Sequence, residues 1–197
     1  MADETKRIQA FVAGRIAALQ GTGNEAAVRA RLAALRRGVG KAPGSLPELW
    51  GETLEGLPEE FYSRDGTPTR AEWAVYTALT LFALHQQGKE VKVHLMSAEG
   101  VSLGMAVRRL IRSDEDEARV KRRFDAAVTA SSVAEFTHHL RGLVQLLKAD
   151  EIPLDYPALA ADLYLFQLER ARDGVRLRWG QDFYRRPAAD APEAAEA

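Results

Sequence analysis

The chain contains no cysteine. That excludes disulfide staples and thiolate metal sites, and it fits a reducing compartment, so a cytoplasmic location is expected. No apolar run is long enough to cross a bilayer, and the start, MADETKRIQAF, carries acids where a signal peptide carries an apolar core. No membrane partner is expected. Only four histidines occur, His85, His94, His138 and His139. The last two are adjacent, so on a helix they diverge by roughly 100° and cannot chelate one ion together. HExxH spacing, a P-loop and a GxGxxG turn are missing, and the letters GxSxG occur at Gly100 to Gly104 without the preceding strand that makes a nucleophile elbow. The stretch GVSLG, Gly100 to Gly104, opens a helix but lacks the Lys-Ser/Thr of a nucleotide loop. The acidic run Asp114 to Glu117 sits where a helix N-terminus favours acids. Nothing here supplies a nucleophile–base pair, so no catalytic residue, metal site or cofactor is expected and the chain reads as a non-enzyme.

What is present is helix. Hydrophobic residues make up 46% and charged residues 28% of the 197 positions, a globular composition with enough length to bury a substantial core. The stretch Glu72 to Leu84 places Trp73, Val75, Tyr76, Leu79, Leu81, Phe82 and Leu84 all round a helix, which therefore needs neighbours on every side. Thr69 and Glu72 read as its capping box and Gly88 as its left-handed stop. A first helix is expected from Asp3, as N-cap, to Gln20. A second, capped by Asn24, ends at Arg36-Arg37 with Gly38 as its C-terminal stop.

A connection dense in Gly and Pro follows, with short turns near Pro47–Trp50 and Pro58–Tyr62 and with Trp50, Leu57 and Phe61 as apolar anchors. VKVHL alternates like a strand but has no partner strand, so it reads as extended loop. Ser102 caps a short helix through Arg112, and Ser113 caps the next. A Ser132–Glu135 capping box opens a long one, and Asp155 opens another with Pro157 inside. The last element, GVRLRWGQDFY, reads as a helix with an interrupting glycine.

The expected fold is all-α: a compact bundle of about eight helices around a buried central helix. It spans residues 1–186, divisible into lobes 1–100 and 101–186. Residues 187–197 hold three acids and no base and read as a disordered tail, leaving 27 basic residues against 25 acids in the rest.

Arginine far outnumbers lysine, and it clusters. Arg29, Arg31, Arg36, Arg37 and Lys41 fill a window with no acid. Arg108, Arg109 and Arg112 fall opposite the stripe Leu103, Val107, Leu110 and Ile111. Arg119, Arg122 and Arg123 fall opposite Val120, Phe124, Ala127 and Val128. Arg141 and Lys148 make a third strip, and Arg176 and Arg178 flank Trp179. Few acids stand at helical spacing to neutralise them. Arginine's planar fork matches phosphate oxygens, and each neutralised phosphate releases counterions. No base-reading helix of a known type is present, so any nucleic-acid binding should be weakly sequence-specific.

The segments LAALRRGVGKAPG, ALTLFALHQQG, GVSLGMAVRRL, VKRRFDAAVTASSVAEFTHHLRGLVQLLKADEIPLDYPALAADLY and VRLRWGQDFY occur in an order that resembles the CasB family, the small subunit of the type I-E CRISPR surveillance complex Cascade. The likeness covers roughly Ala30 to Tyr184. It implies an all-helical, non-catalytic subunit. The implied partners are the Cascade backbone and large subunits, a second copy of the chain, crRNA, and the target and displaced DNA strands. Sequence would be read by crRNA pairing, and phosphate contacts would tip a nearly balanced R-loop exchange. By position, the resemblance points to Arg36, Arg37, Arg108, Arg109, Arg122, Arg123 and Arg141. Met105 stands where some relatives carry a basic residue. Lys41, Arg112 and Arg119 join the candidate nucleic-acid site from local reasoning alone. The competing expectation is an assembly module whose arginines meet acids on partner proteins.

Overall fold

The computed structural model of the chain describes residues 1–185; the acidic tail expected at 187–197 lies outside them. Nine α-helices are described: α1 Ala2–Gly21, α2 Glu25–Arg37, α3 Trp50–Thr53, α4 Arg70–His85, α5 Leu103–Arg108, α6 Asp114–Val128, α7 Val133–Ala149, α8 Tyr156–Phe166 and α9 Glu169–Tyr184. Two 3-10 turns, Pro47–Leu49 and Glu59–Phe61, interrupt the α2–α4 connection. The described residues contain no strand; one isolated bridge joins Ser97 to Leu154, and VKVHL forms turns. No described helix is long and apolar enough to cross a membrane.

The bundle closes around α4, which α1, α2, α7 and α8 contact from different sides. Every α4 residue from Ala71 to His85 is buried except Trp73 and Leu84. Each fully buried Val75, Leu79, Leu81 or Phe82 side chain stabilises the fold by roughly 1.5–3 kcal/mol against exposure. The capping box is formed: Thr69 accepts from Glu72 N, and the Glu72 carboxylate accepts from Thr69 N at 2.7 Å. That carboxylate also accepts from Ser63 N at 3.2 Å, and the Thr69 hydroxyl donates to Phe61 O at 2.7 Å. One helix start thus pins the preceding connection. At the other end Gly88 adopts φ 86°, the left-handed conformation expected there.

A second layer is built on α9. Phe136 stacks on both Phe166 and Trp179, and Phe124 of α6 stacks on Phe183, with ring centroids 4.7 to 5.3 Å apart. Helix α5 lies almost backbone to backbone on α9. A Cβ at Gly104 would stand 2.1 Å from Trp179 O, so only glycine permits the approach. The Ser102 hydroxyl, which caps α5, donates to Asp182 of α9 at 2.7 Å and locks that contact.

Several local expectations change. Helix α1 begins at Ala2 without a side-chain cap, and Asp3 lies inside its first turn. Gly38 follows α2 with φ −78°, not left-handed; its place is close-packed, and a Cβ would sit 2.7 Å from both Leu49 Cδ1 and the Tyr76 hydroxyl, forcing these buried side chains to shift. Trp50 is 48% exposed, and its neighbour Leu49 is the buried anchor instead, beside Leu57 and Phe61. Helix α5 stops at Arg108 because its last turn tightens, Leu110 N bonding Val107 O and Ile111 N bonding Arg108 O. The α7 box is half formed: Ser132 accepts from Glu135 N, but the Glu135 carboxylate turns to Ser131. Helix α9 runs unbroken through Gly174 and Gly180, since Val175, Trp179 and Phe183 bury one continuous stripe.

Candidate nucleic-acid interface

Helix α2 turns Val28, Leu32 and Leu35 inward, which sends its arginines out. Two of them, Arg31 and Arg37, meet acids that are distant in sequence. Arg31 forms a forked pair with Glu52 of α3, Nη2 donating to Oε2 at 2.8 Å, and this hydrogen bond raises the guanidinium pKa further. Arg37 reaches Glu48 at 3.4 Å, and Arg29 pairs with Glu25 one turn back at 3.3 Å. The α2–α4 connection therefore neutralises Arg31 and Arg37, and Glu25 within α2 neutralises Arg29. Arg36 and Lys41 are left with no ion pair among the described residues. Arg36 lines a cleft of about 380 Å³ between α2 and the turn after α4, together with Leu32, Gln87, Val91 and Lys92.

The α5–α7 region is different. Arg108 ends α5 half-buried, and Arg109 is exposed in the turn beyond it. On α6, Val120, Phe124 and Ala127 face inward and Arg122 and Arg123 are exposed. Arg141 is exposed on α7. None of these five makes an ion pair among the described residues. Two neighbours do. Arg112 pairs with Asp150 at 3.4 Å, and Arg119 with Asp116 at 2.6 Å, a bond that holds the Asp116 carboxyl below its ordinary range. The acidic run thus supplies one local partner.

A short connection makes α6 and α7 an antiparallel hairpin, and the Arg112–Asp150 pair ties the start of α6 to the end of α7. Arg122, Arg123 and Arg141 consequently share the middle of one hairpin. Lys148 donates to Gln87 at 2.8 Å, and Gln87 lines the cleft that holds Arg36. Lys148 thus joins the end of α7, where Asp150 holds Arg112, to the cleft that holds Arg36. Arg37 and Lys41 stand apart from it, Arg37 over the Pro47–Leu49 turn and Lys41 in the turn after Gly38.

The arginines beside Trp179 are occupied. Arg176 donates to Val128 O at 2.7 Å and to Ala130 O at 3.2 Å, satisfying carbonyls at the end of α6. Arg178 and the Trp179 indole both donate to Asp162 at 2.6 Å; burial still leaves that carboxyl above its ordinary range. Lys92 escaped the sequence reading: it is exposed at the cleft rim, and only its place in a loop hinted at it. No group of three potential metal ligands occurs among the described residues.

Three comparisons bear on this surface. The sequence profile of the CRISPR-associated protein Cse2 family matches residues 31–184, a span that takes in every candidate position from Arg36 to Arg141. The crystal structure of CasB from Thermobifida fusca is similar, with 36% sequence identity and a TM-score of 0.73 over 91% of this chain and 98% of that one. The crystal structure of M. ruber CasB is 27% identical, with a TM-score of 0.65 over 90% of this chain and 92% of that one. No curated protein matches the chain.

Proposed function

The chain belongs to the CRISPR-associated Cse2 (CasB) family, a structural subunit of CRISPR Cascade complexes, and from that premise we propose that it grips nucleic-acid backbones. Arg108, Arg109, Arg122, Arg123 and Arg141 meet phosphates of the opened target and of crRNA, with Arg36 and Lys41 as a second, smaller group. The contact is independent of sequence and has no catalytic step. Arg112 and Arg119 steer the field while tethered to Asp150 and Asp116. The observation that carries this reading is the run of exposed, unpaired arginines on a hairpin whose inner face is fully committed to the core. Water-exposed guanidinium groups without partners give up little to meet a phosphate, and each contact adds counterion release.

The test is the complex reconstituted with Arg108, Arg109, Arg122 and Arg123 all changed to Glu. Opening of target DNA should weaken on the order of a hundredfold, and the dependence on salt should become shallower by about 0.7–0.9 per lost contact in log–log form. Unchanged affinity and slope, in a complex that still contains the subunit, would sink the assignment. The competing reading has these arginines meeting acids of neighbouring Cas proteins. It predicts that the variant subunit drops out of the complex and that crosslinking to labelled DNA gives no adduct on this chain.

A further inference from the structure

Tyr184 closes α9 with 62% of its surface exposed. Single exposed apolar residues are ordinary, but this ring is held in place. Its edge abuts Phe183 at a centroid distance of 5.0 Å and an interplanar angle of 83°. Phe183 is buried and stacked on Phe124 of α6, 4.8 Å away and 13° from parallel. Phe124 is preceded directly by Arg122 and Arg123, which leave α6 on the outer side as Phe124 turns inward. Lys121, paired with Asp125 at 2.5 Å, stands beside Tyr184. An exposed aromatic ring therefore stands beside Lys121, the residue that directly precedes the unpaired Arg122 and Arg123 on α6.

We propose that Tyr184 is a stacking platform for an unpaired nucleobase, so that this edge of the molecule takes single-stranded nucleic acid with its phosphates on Arg122 and Arg123. The proposal rests on the backbone-gripping function above and adds the kind of strand. Stacking on an aromatic ring tolerates any base, because every base has a π-face, and it adds to backbone contacts without reading sequence. A base inside a duplex is already stacked and cannot reach the ring. The larger exposed aromatic, Trp50, does not fit the same role. Its neighbours in the chain, Glu48 and Glu52, already hold Arg37 and Arg31, so the adjoining cations are engaged.

The experiment measures binding of a short fluorescein-labelled oligothymidylate, and of a duplex of equal length, to the full chain and to Tyr184→Ala, Tyr184→Phe and Trp50→Ala. Tyr184→Ala should bind the single strand about tenfold more weakly and the duplex as the parent does. Tyr184→Phe keeps the ring and should restore single-strand binding, and Trp50→Ala should leave it unchanged. Equal losses on both probes, no loss in Tyr184→Ala, or no rescue by phenylalanine would overturn the stacking role while leaving the backbone grip standing. Absence of salt-sensitive binding by the parent chain to either probe would overturn both. Tyr184 is exposed at a helix end, so melting curves should show the variants folded alike.

Discussion

The two arginine-rich regions look alike in sequence and differ in space. Around α2, Arg29, Arg31 and Arg37 each meet a glutamate, and two of those glutamates come from a connection whose register no local pattern specifies. On α5–α7, the acids that reach an arginine are Asp116 and Asp150, and five arginines remain unpaired among the described residues. Net charge over a window therefore says little about which cations are free. A forked, half-buried pair such as Arg31–Glu52 is scaffold, holding α3 to α2. An exposed arginine with no acid in reach is available to a partner.

The sharpest way to break this comparison is charge reversal in each region of the isolated chain. Changing Arg108, Arg109, Arg122 and Arg123 to Glu should reduce oligonucleotide affinity on the order of a hundredfold with little change in melting temperature. Changing Arg31 and Arg37 to Glu should do the opposite. Affinity should fall only a few-fold, while the repulsion placed beside Glu52 and Glu48 destabilises the chain by roughly 1–3 kcal/mol. If both reversals weaken binding equally with equal melting temperatures, the division between scaffold and free arginines is wrong.

A smaller effect separates the regions through the backbone. Gly104→Ala puts a Cβ 2.1 Å from Trp179 O, where a backbone atom has to move. Displacing α5 from α9 should cost about 1–3 kcal/mol, a fall of several degrees in melting temperature. It should also disturb Arg108 and Arg109, which α5 carries, more than Arg36. Hydrogen exchange should quicken in α5 and the end of α9 and stay slow in α2. Uniform loosening of the whole bundle would show that the α5–α9 contact does not set the arginine surface separately.

That glycine also marks how far the sequence could be read. Helix positions and inward faces followed from periodicity and caps, because those signals are local: Asn24, Thr69, Ser102, Ser113, Ser132 and Asp155 all cap as expected. Gly38 and Gly104 were legible only as a stop and as part of a helix start. Their actual cause, close approach of Tyr76 and of α9, is a long-range contact with no pattern around it. Trp50 looked like an anchor because of its size, but a one-residue shift in the 3-10 turn buries Leu49 instead. The arginine clusters were visible as clusters. Which members were free depended on Glu48, Glu52 and Asp150, acids outside any helical window of their partners.

The smallest expected effect lies beneath the junction of the two regions. His85, at the end of α4, is fully buried; its Nδ1 lies 2.9 Å from the Tyr156 hydroxyl, and its Nε2 has no hydrogen-bond partner. Burial, with the nearby cations Lys89 and Lys148 adding to it, lowers its pKa from 6.5 to about 4. Protonation is thus disfavoured in the folded chain and free in the unfolded one. The neutral imidazole contributes its full stability above about pH 6.5. That contribution falls as the unfolded chain takes up a proton and is exhausted below about pH 4. Between pH 7 and about pH 5.5 the loss should be about 1 kcal/mol, read as a lower denaturant midpoint at unchanged slope. In His85→Gln this acid limb should flatten while neutral-pH binding to oligonucleotide stays as in the parent, because the side chain is fully buried and its hydrogen bond goes to Tyr156 in the core. An identical acid limb in both proteins would move the titration to another group. A flattened limb accompanied by weaker binding would mean that the packing around His85 positions the binding surface.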